Sequence, residues 1–232
     1  MRVIKFDDIS KMGQKATSMV IDEVTNNPQL LLCAATGSSP LPLYQRLGEE
    51  SKKNTTLFKQ IRILPLDEWI GLPSSDGTCD SFIHEHLLTP LKVSKERYFP
   101  FNPLAENLEA ECLRIQAILK KQGPLDLCIL GLGKNGHLGF NEPTKVLKPH
   151  CHIADLTTQS QQHTMILGSS KKPTQGITLG MQDILSSKRI LLLVSGIGKE
   201  EAKEQLLSGR INSQWPASFL WKHDNVDCLV VR

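Results

Sequence analysis

The sequence predicts an α/β protein: a doubly wound, mostly parallel sheet with helices on both faces, Rossmann-like in layout. Three observations predict it. Short apolar runs alternate with longer amphipathic segments along the whole chain. Several of those runs, Gln29–Ala35, Leu125–Leu132 and Ile190–Ser195, lack polar alternation, which implies burial on both faces. No internal repeat, low-complexity tract or linker divides the 232 residues, so residues 1–232 read as one domain.

The elements follow in order. Arg2–Phe6 reads as a strand, and Ile9, Met12, Ala16, Met19, Val20 and Val24 then recur at helical spacing. The breaker Asn26-Asn27-Pro28 precedes the apolar run Gln29–Ala35, a buried strand. Leu41–Glu50 reads as a helix and Ile61–Leu66 as a strand. Thr78–Leu88 reads as a helix with Thr78 as its N-cap. Glu106–Lys120 is a helix with Leu108, Cys112, Ile115 and Leu119 on one stripe, ended by Gly123-Pro124. Leu125–Leu132 and Ile190–Ser195 are strands, Lys199–Leu207 is a helix stopped by Gly209, and Val226–Val231 is the last strand.

Composition narrows the function classes. A formal charge of +3 suits an anionic small substrate and falls short of the clustered basicity of a nucleic-acid binder. No run of about 18 apolar residues is present to span a membrane. The start M-R-V-I-K-F-D-D has no apolar core of a signal peptide, so a cytoplasmic protein is expected. The six cysteines form no C-x-x-C, and free buried thiols are expected rather than a zinc site. Oligomeric state is left open, a homo-oligomer included.

In such folds ligands bind at the carboxyl ends of the strands. Four loops stand out there. Thr36-Gly37-Ser38-Ser39-Pro40 lies between a strand and a helix, with Ser39 suited to cap and Pro40 to the first turn. Its small residues and the helix N-terminus suit a phosphate, and an ordinary capped turn is the plain alternative. Leu66-Asp67-Glu68-Trp69 offers a general base in Asp67, unless Asp67 caps a turn and Glu68 pairs with a lysine. Gly131, Gly133 and Gly136 run into His137 and Gly139, with Glu142 five residues after the histidine. Glycines let a backbone approach a ligand, and His137 with Glu142 forms an acid–base pair. The G-x-G-x-x-G spacing is a poor dinucleotide fingerprint, because His-Leu-Gly-Phe-Asn-Glu-Pro cannot start the long helix that motif needs. Ser195-Gly196-Ile197-Gly198-Lys199 again joins strand to helix, and Lys199 can bring a point charge to a phosphate or stay solvated. His84 and His86 face different ways on a helix and are poor metal partners, and His150-Cys151-His152 reads better as loop and strand residues.

Together, T-G-S-S-P at 36–40, L-D-E-W-I-G-L at 66–72, G-x-G-x-N-G-H-x-G-F-N-E-P at 131–143, G-I-T-L-G at 176–180 and S-G-I-G-K at 195–199 resemble the amino-sugar-phosphate deaminase/isomerase family. The resemblance covers nearly the whole chain. L-G-L-G-K-N-G-H-L-G-F-N-E-P and P-A-S-F-L-W-K-H are most similar to the galactosamine-6-phosphate isomerase branch. The resemblance implies that Asp67 takes the C2 proton of the open-chain sugar. It implies that His137 opens the ring and that Glu142 orients His137. Thr36, Gly37, Ser38, Ser39 and Lys199 would hold the 6-phosphate, with Gly136 among the substrate-binding residues. It implies no metal and no cofactor. Two positions depart from the family pattern. Asn135 stands where many members have Asp, which shifts weight onto Glu142. His163 falls near the place of a phosphate-binding arginine and is expected to replace it, under a lid at about 150–172. Related 6-phosphogluconolactonases lack N-E-P. Sugar-phosphate sensing domains of regulators usually follow a DNA-binding helix-turn-helix, and only about 30 residues precede T-G-S-S-P here.

Overall fold

A computed structural model describes residues 1–73, 77–169 and 171–232. Six strands form one parallel sheet: β1 (Arg2–Phe6), β2 (Leu31–Ala34), β3 (Arg62–Pro65), β5 (Leu127–Gly131), β8 (Arg189–Val194) and β9 (Val226–Val231). Their spatial order is β1-β9-β8-β5-β2-β3. Pro65 cannot donate to a ladder, and β3 is an edge strand where that donor is not needed.

Successive side chains point to opposite faces, and each face has its own core. Leu31, Cys33, Cys128, Leu130, Ile190 and Leu192 pack on one side. They meet α5 (Leu108–Gln122), α6 (Met181–Leu185) and α7 (Glu200–Leu207) through Cys112, Ile115, Ile184 and Leu206. Leu32, Ala34, Leu127, Ile129, Leu191 and Leu193 pack on the other side. They meet α1 (Ile9–Asn26) and α2 (Leu41–Lys53) through Met12, Ala16, Leu43 and Leu47. Two apolar faces explain the unbroken apolar runs of the sequence.

A second, antiparallel sheet was not foreseen. It contains β4 (Asp67–Trp69), β6 (His152–Asp155) and β7 (Gln175–Thr178) in the order β4-β7-β6. The expected strand Ile61–Leu66 therefore ends at Pro65, and the chain passes directly into the second sheet. Leu66 is the joint: its N–H donates to Ala34 at 3.0 Å and its carbonyl accepts from Leu179 at 2.9 Å.

Other boundaries shift by local chemistry. Thr78 does cap, accepting from Ser81 N–H at 3.1 Å. The helix after it divides into α3 (Cys79–Ile83), a wider π-helical turn His84–Leu88 and α4 (Thr89–Leu91). Asn107 accepts from Ala110 N–H, so α5 begins at Leu108 rather than Glu106. Ser39 does not cap α2: Pro40 takes the N-cap position without a side-chain bond, and the Ser39 hydroxyl is engaged elsewhere. All six cysteines are free and buried. Among the described residues no helix is long and apolar enough to cross a membrane, and no group of three or more His, Cys, Asp or Glu is gathered to hold a metal.

The order of strands creates one switch point. From β2 the chain proceeds to β3 on one side, and from β5 to β8 on the other, so a crevice opens at the carboxyl ends of β2 and β5. All four loops singled out in the sequence border it.

Gly180 brings the start of α6 against the 148–150 turn. A Cβ there would lie 2.4 Å from the backbone N and O of His150. Gly180→Ala is expected to lower stability by about 1–3 kcal/mol, read as a lower urea midpoint at unchanged slope. An unchanged midpoint would show that the 148–150 turn yields freely.

Candidate active site

The crevice holds a cavity of about 640 Å³. At one end lie the loop after β2 and the loop after β8. The Ser39 hydroxyl links them: it donates to the Ser195 carbonyl at 3.3 Å and accepts from Ser195 Oγ at 3.0 Å and Lys199 Nζ at 3.3 Å. Gly37, Gly196 and Gly198 adopt φ of +100°, +97° and +77°, a region glycine occupies without strain. Burial lowers the Lys199 pKa to about 8, helped by the nearby charges of Lys134 and Lys203. Small residues, the N-terminus of α2 and an ammonium group make this end suited to an anion.

His163 closes that end from the covering segment. Its Nδ1 accepts from Met165 N–H at 3.3 Å, so in the neutral ring Nε2 carries the proton. Nε2 lies 4.0 Å from the point where a Gly37 Cβ would stand. Burial lowers the His163 pKa, and His137, Lys199 and Lys134 add to the effect. Residues 150–172, the stretch expected to form a lid, include a strand and part of the cavity lining. His152–Asp155 is a strand of the second sheet, and among the described residues of this stretch Gln159, Ser160, Gln162 and His163 line the cavity.

The turn after β5 carries His137. Gly133 is needed there, since a Cβ would fall 2.2 Å from His137 Cδ2. His137 Nδ1 meets Glu142 Oε2 at 3.3 Å, which leaves Nε2 as its other polar atom. Asn135 Nδ2 donates to the same Glu142 oxygen at 2.8 Å, and Asn135 Oδ1 accepts from His137 N–H at 3.2 Å. Asn135 thus braces Glu142 and the turn and does not touch the imidazole. Thr157 and Ser160 donate to Glu142 Oε1. Burial alone would raise the Glu142 pKa, but the His137 bond and charge, with Ser160 and Asn135, outweigh it and hold it at about 2. Asn141 donates to the carbonyls of Leu138 and Leu179, both at 2.8 Å, and so pins the turn to the second sheet.

Asp67 and Glu68 part company. Asp67 lines the cavity, and burial raises its pKa to about 6, with His137 and the Cys79 thiol acting in the opposite direction. Glu68 turns away. It accepts from the backbone N–H groups of Trp69 at 2.7 Å, Cys79 at 3.0 Å and Asp80 at 2.6 Å, so it anchors the start of α3 rather than pairing with a lysine. Burial raises its pKa to about 7 against those three bonds. The anchored helix brings Cys79 Sγ to 3.8 Å from Asp67 Oδ1 and 3.4 Å from Thr36 Oγ1.

Gly136 is not part of the cavity wall. Its φ is +79°, and a Cβ would lie 2.7 Å from Trp215 Cε3. The glycine serves turn geometry and close packing against Trp215. Sequence reasoning missed Lys134, Cys79, Thr157 and Ser160. Only the run of small polar residues at 157–160, free of apolar periodicity, gave a signal for the last two.

A histidine–glutamate pair, a separate buried carboxylate and a small-residue loop beside a lysine converge on one cavity, an arrangement suited to an enzyme with a small anionic substrate. The family described as glucosamine-6-phosphate isomerases/6-phosphogluconolactonase matches residues 7–229. The chain belongs to that family. It is 39% identical to an Escherichia coli (strain K12) protein named "Putative deaminase AgaI", over 97% of this chain and 89% of the relative. It is 35% identical to glucosamine-6-phosphate deaminase of Halalkalibacterium halodurans, over 100% of this chain and 96% of the relative. The solved structure of a monomeric glucosamine-6-phosphate deaminase superposes with TM-score 0.95 at 35% identity, covering 100% of this chain and 98% of that one. A 6-phosphogluconolactonase from Thermotoga maritima shares the fold at TM-score 0.78 and 18% identity, over 99% of this chain and 98% of that one.

The raised Asp67 pKa has a stability consequence. The unfolded carboxyl releases its proton near 3.8 and the folded one near 6. Stability therefore falls as pH rises through that window and stays lower above it. Asp67→Asn is expected to be more stable than the native protein at pH 8 by about 1–3 kcal/mol, with the gain shrinking toward pH 4. Equal gains at both pH values, by urea unfolding, would rule out burial of the charge as the cause.

Proposed function

We propose that the protein isomerises and deaminates galactosamine 6-phosphate, giving tagatose 6-phosphate and ammonia. The observation that carries this reading is the convergence of Asp67 and the His137–Glu142 pair on one cavity that ends in an anion cradle. Two acid–base groups from separate loops suit a reaction with two distinct proton transfers.

The 6-phosphate sits against Thr36–Ser39 and Lys199, with His163 donating from Nε2. Remote binding energy there aligns the sugar. His137 moves a proton between O5 and O1 and opens the pyranose ring, a task for a group that both gives and takes a proton near neutral pH. Glu142, ionised at any working pH, fixes Nδ1–H and steadies the imidazolium. Asp67 removes the C2 proton from the open-chain aldehyde. Reprotonation at C1 gives a ketose imine, water adds at C2, and ammonia leaves. Environment separates the two carboxylates, one kept high as a base and one kept low as a permanent anion, and such pairs mark acid–base assignments.

The galacto sugar is favoured by the likeness of L-G-L-G-K-N-G-H-L-G-F-N-E-P and P-A-S-F-L-W-K-H to the galactosamine-6-phosphate branch. Glucosamine 6-phosphate is the second reading, supported by relatives of that name at 33–36% identity. The segment N-E-P speaks against lactone hydrolysis.

Ammonia release from the two amino sugars tests the proposal, and the ratio of their kcat/KM values decides between them. No ammonia from either would end it. His137→Ala and Asp67→Asn should each reduce kcat by about 10²–10⁴-fold while remaining folded. The kcat/KM profile should fall below pH about 6 as Asp67 takes a proton, and above about 8 as Lys199 loses its charge. A profile flat from pH 5 to 9 would remove both groups from these roles.

A further inference from the structure

The turn after β5 carries a side chain that the reaction scheme leaves idle. Lys134 lies three residues before His137 and lines the cavity together with Lys199 and His163. Its stem runs over the loop after β8. Lys134 Cε, Cδ and Nζ lie 3.5, 3.7 and 3.7 Å from the point where a Gly198 Cβ would begin, so the bare backbone of Gly198 provides the bed for it. Among the described residues neither Lys134 nor Lys199 takes part in an ion pair. Two unpaired ammonium groups thus share one wall, and Lys134 repels the charge on both Lys199 and His163. Like charges held together without a counterion are unfavourable, and a dianion placed between them reverses the sign of the interaction.

We propose that Lys134 is a second ammonium ligand for the substrate's phosphate dianion, acting beside Lys199. The cradle is then formed by three loops rather than two. The anion joins the turn that carries the ring-opening histidine to the loop after β8. This inference rests on the phosphate-binding reading of the cavity but not on the identity of the sugar.

Inorganic phosphate is the probe, titrated calorimetrically into the full chain at pH 7 and low salt. Lys134→Gln should weaken phosphate binding by about tenfold or more, as loss of a charged hydrogen bond implies. Lys199→Gln should weaken it similarly, and Lys134→Arg should stay near the native value. Lys134 is exposed, so the variants should keep the native melting temperature. Phosphate binding by Lys134→Gln equal to that of the native chain, with Lys199→Gln impaired, overturns the proposal and leaves the cradle standing. No phosphate binding by the native chain overturns both. A Lys134-dependent phosphate site in a chain that releases no ammonia supports the proposal while the amino-sugar reading fails.

Discussion

The site depends on how one carboxylate is held. Glu142 receives Asn135 and His137 on one oxygen and Thr157 and Ser160 on the other. Those donors come from the turn after β5 and from the segment that covers the cavity. One buried anion therefore orients the imidazole, braces the turn and ties down the cover. Without those donors burial would favour the neutral acid, and a neutral carboxyl could not fix His137 in the tautomer that leaves Nε2 free. Asn135 belongs to this arrangement as a donor. An amide there supplies the bond that a carboxylate could not, because two adjacent anions would repel.

The same principle divides the charges of the cavity. Among the described residues the donor to Asp67 is a thiol at 3.8 Å, and burial outweighs it in raising the pKa. Its neighbour Glu68 is compensated by three backbone N–H groups and acts on structure. Adjacent residues of one type thus differ in role because β4 sends successive side chains to opposite faces. One faces the cavity, and the other faces the start of α3.

The main sheet was legible in the sequence because burial on both faces leaves unbroken apolar runs. The loops after β2, β5 and β8 were legible because glycine and small hydroxyl residues cluster where those runs end. The second sheet was not. Its strands are three or four residues long and half polar, and the partners of Asp67–Trp69 lie far away at Gly176–Thr178. Gly136 resembled the ligand-facing glycines, but the side chain it makes room for, Trp215, belongs to a distant segment. Lys134 was illegible for a different reason: a lysine in a polar turn looks solvated until a second cation is found beside it. Ser39 suited a cap by type and place, yet its hydroxyl was claimed by Ser195 and Lys199.

Leu66 is a mechanical joint. It is hydrogen-bonded to β2 through its N–H and to Leu179, just beyond β7, through its carbonyl, so it is riveted to both sheets at once. Asp67 is the next residue. Asp67 is mounted on the rivet and not on a loop, whereas His137 stands on a turn clipped to the second sheet through Asn141. The span between Asp67 and His137 is thereby set by hydrogen bonds across the seam of two sheets. Side-chain changes around the rim can reshape the cavity without altering that span.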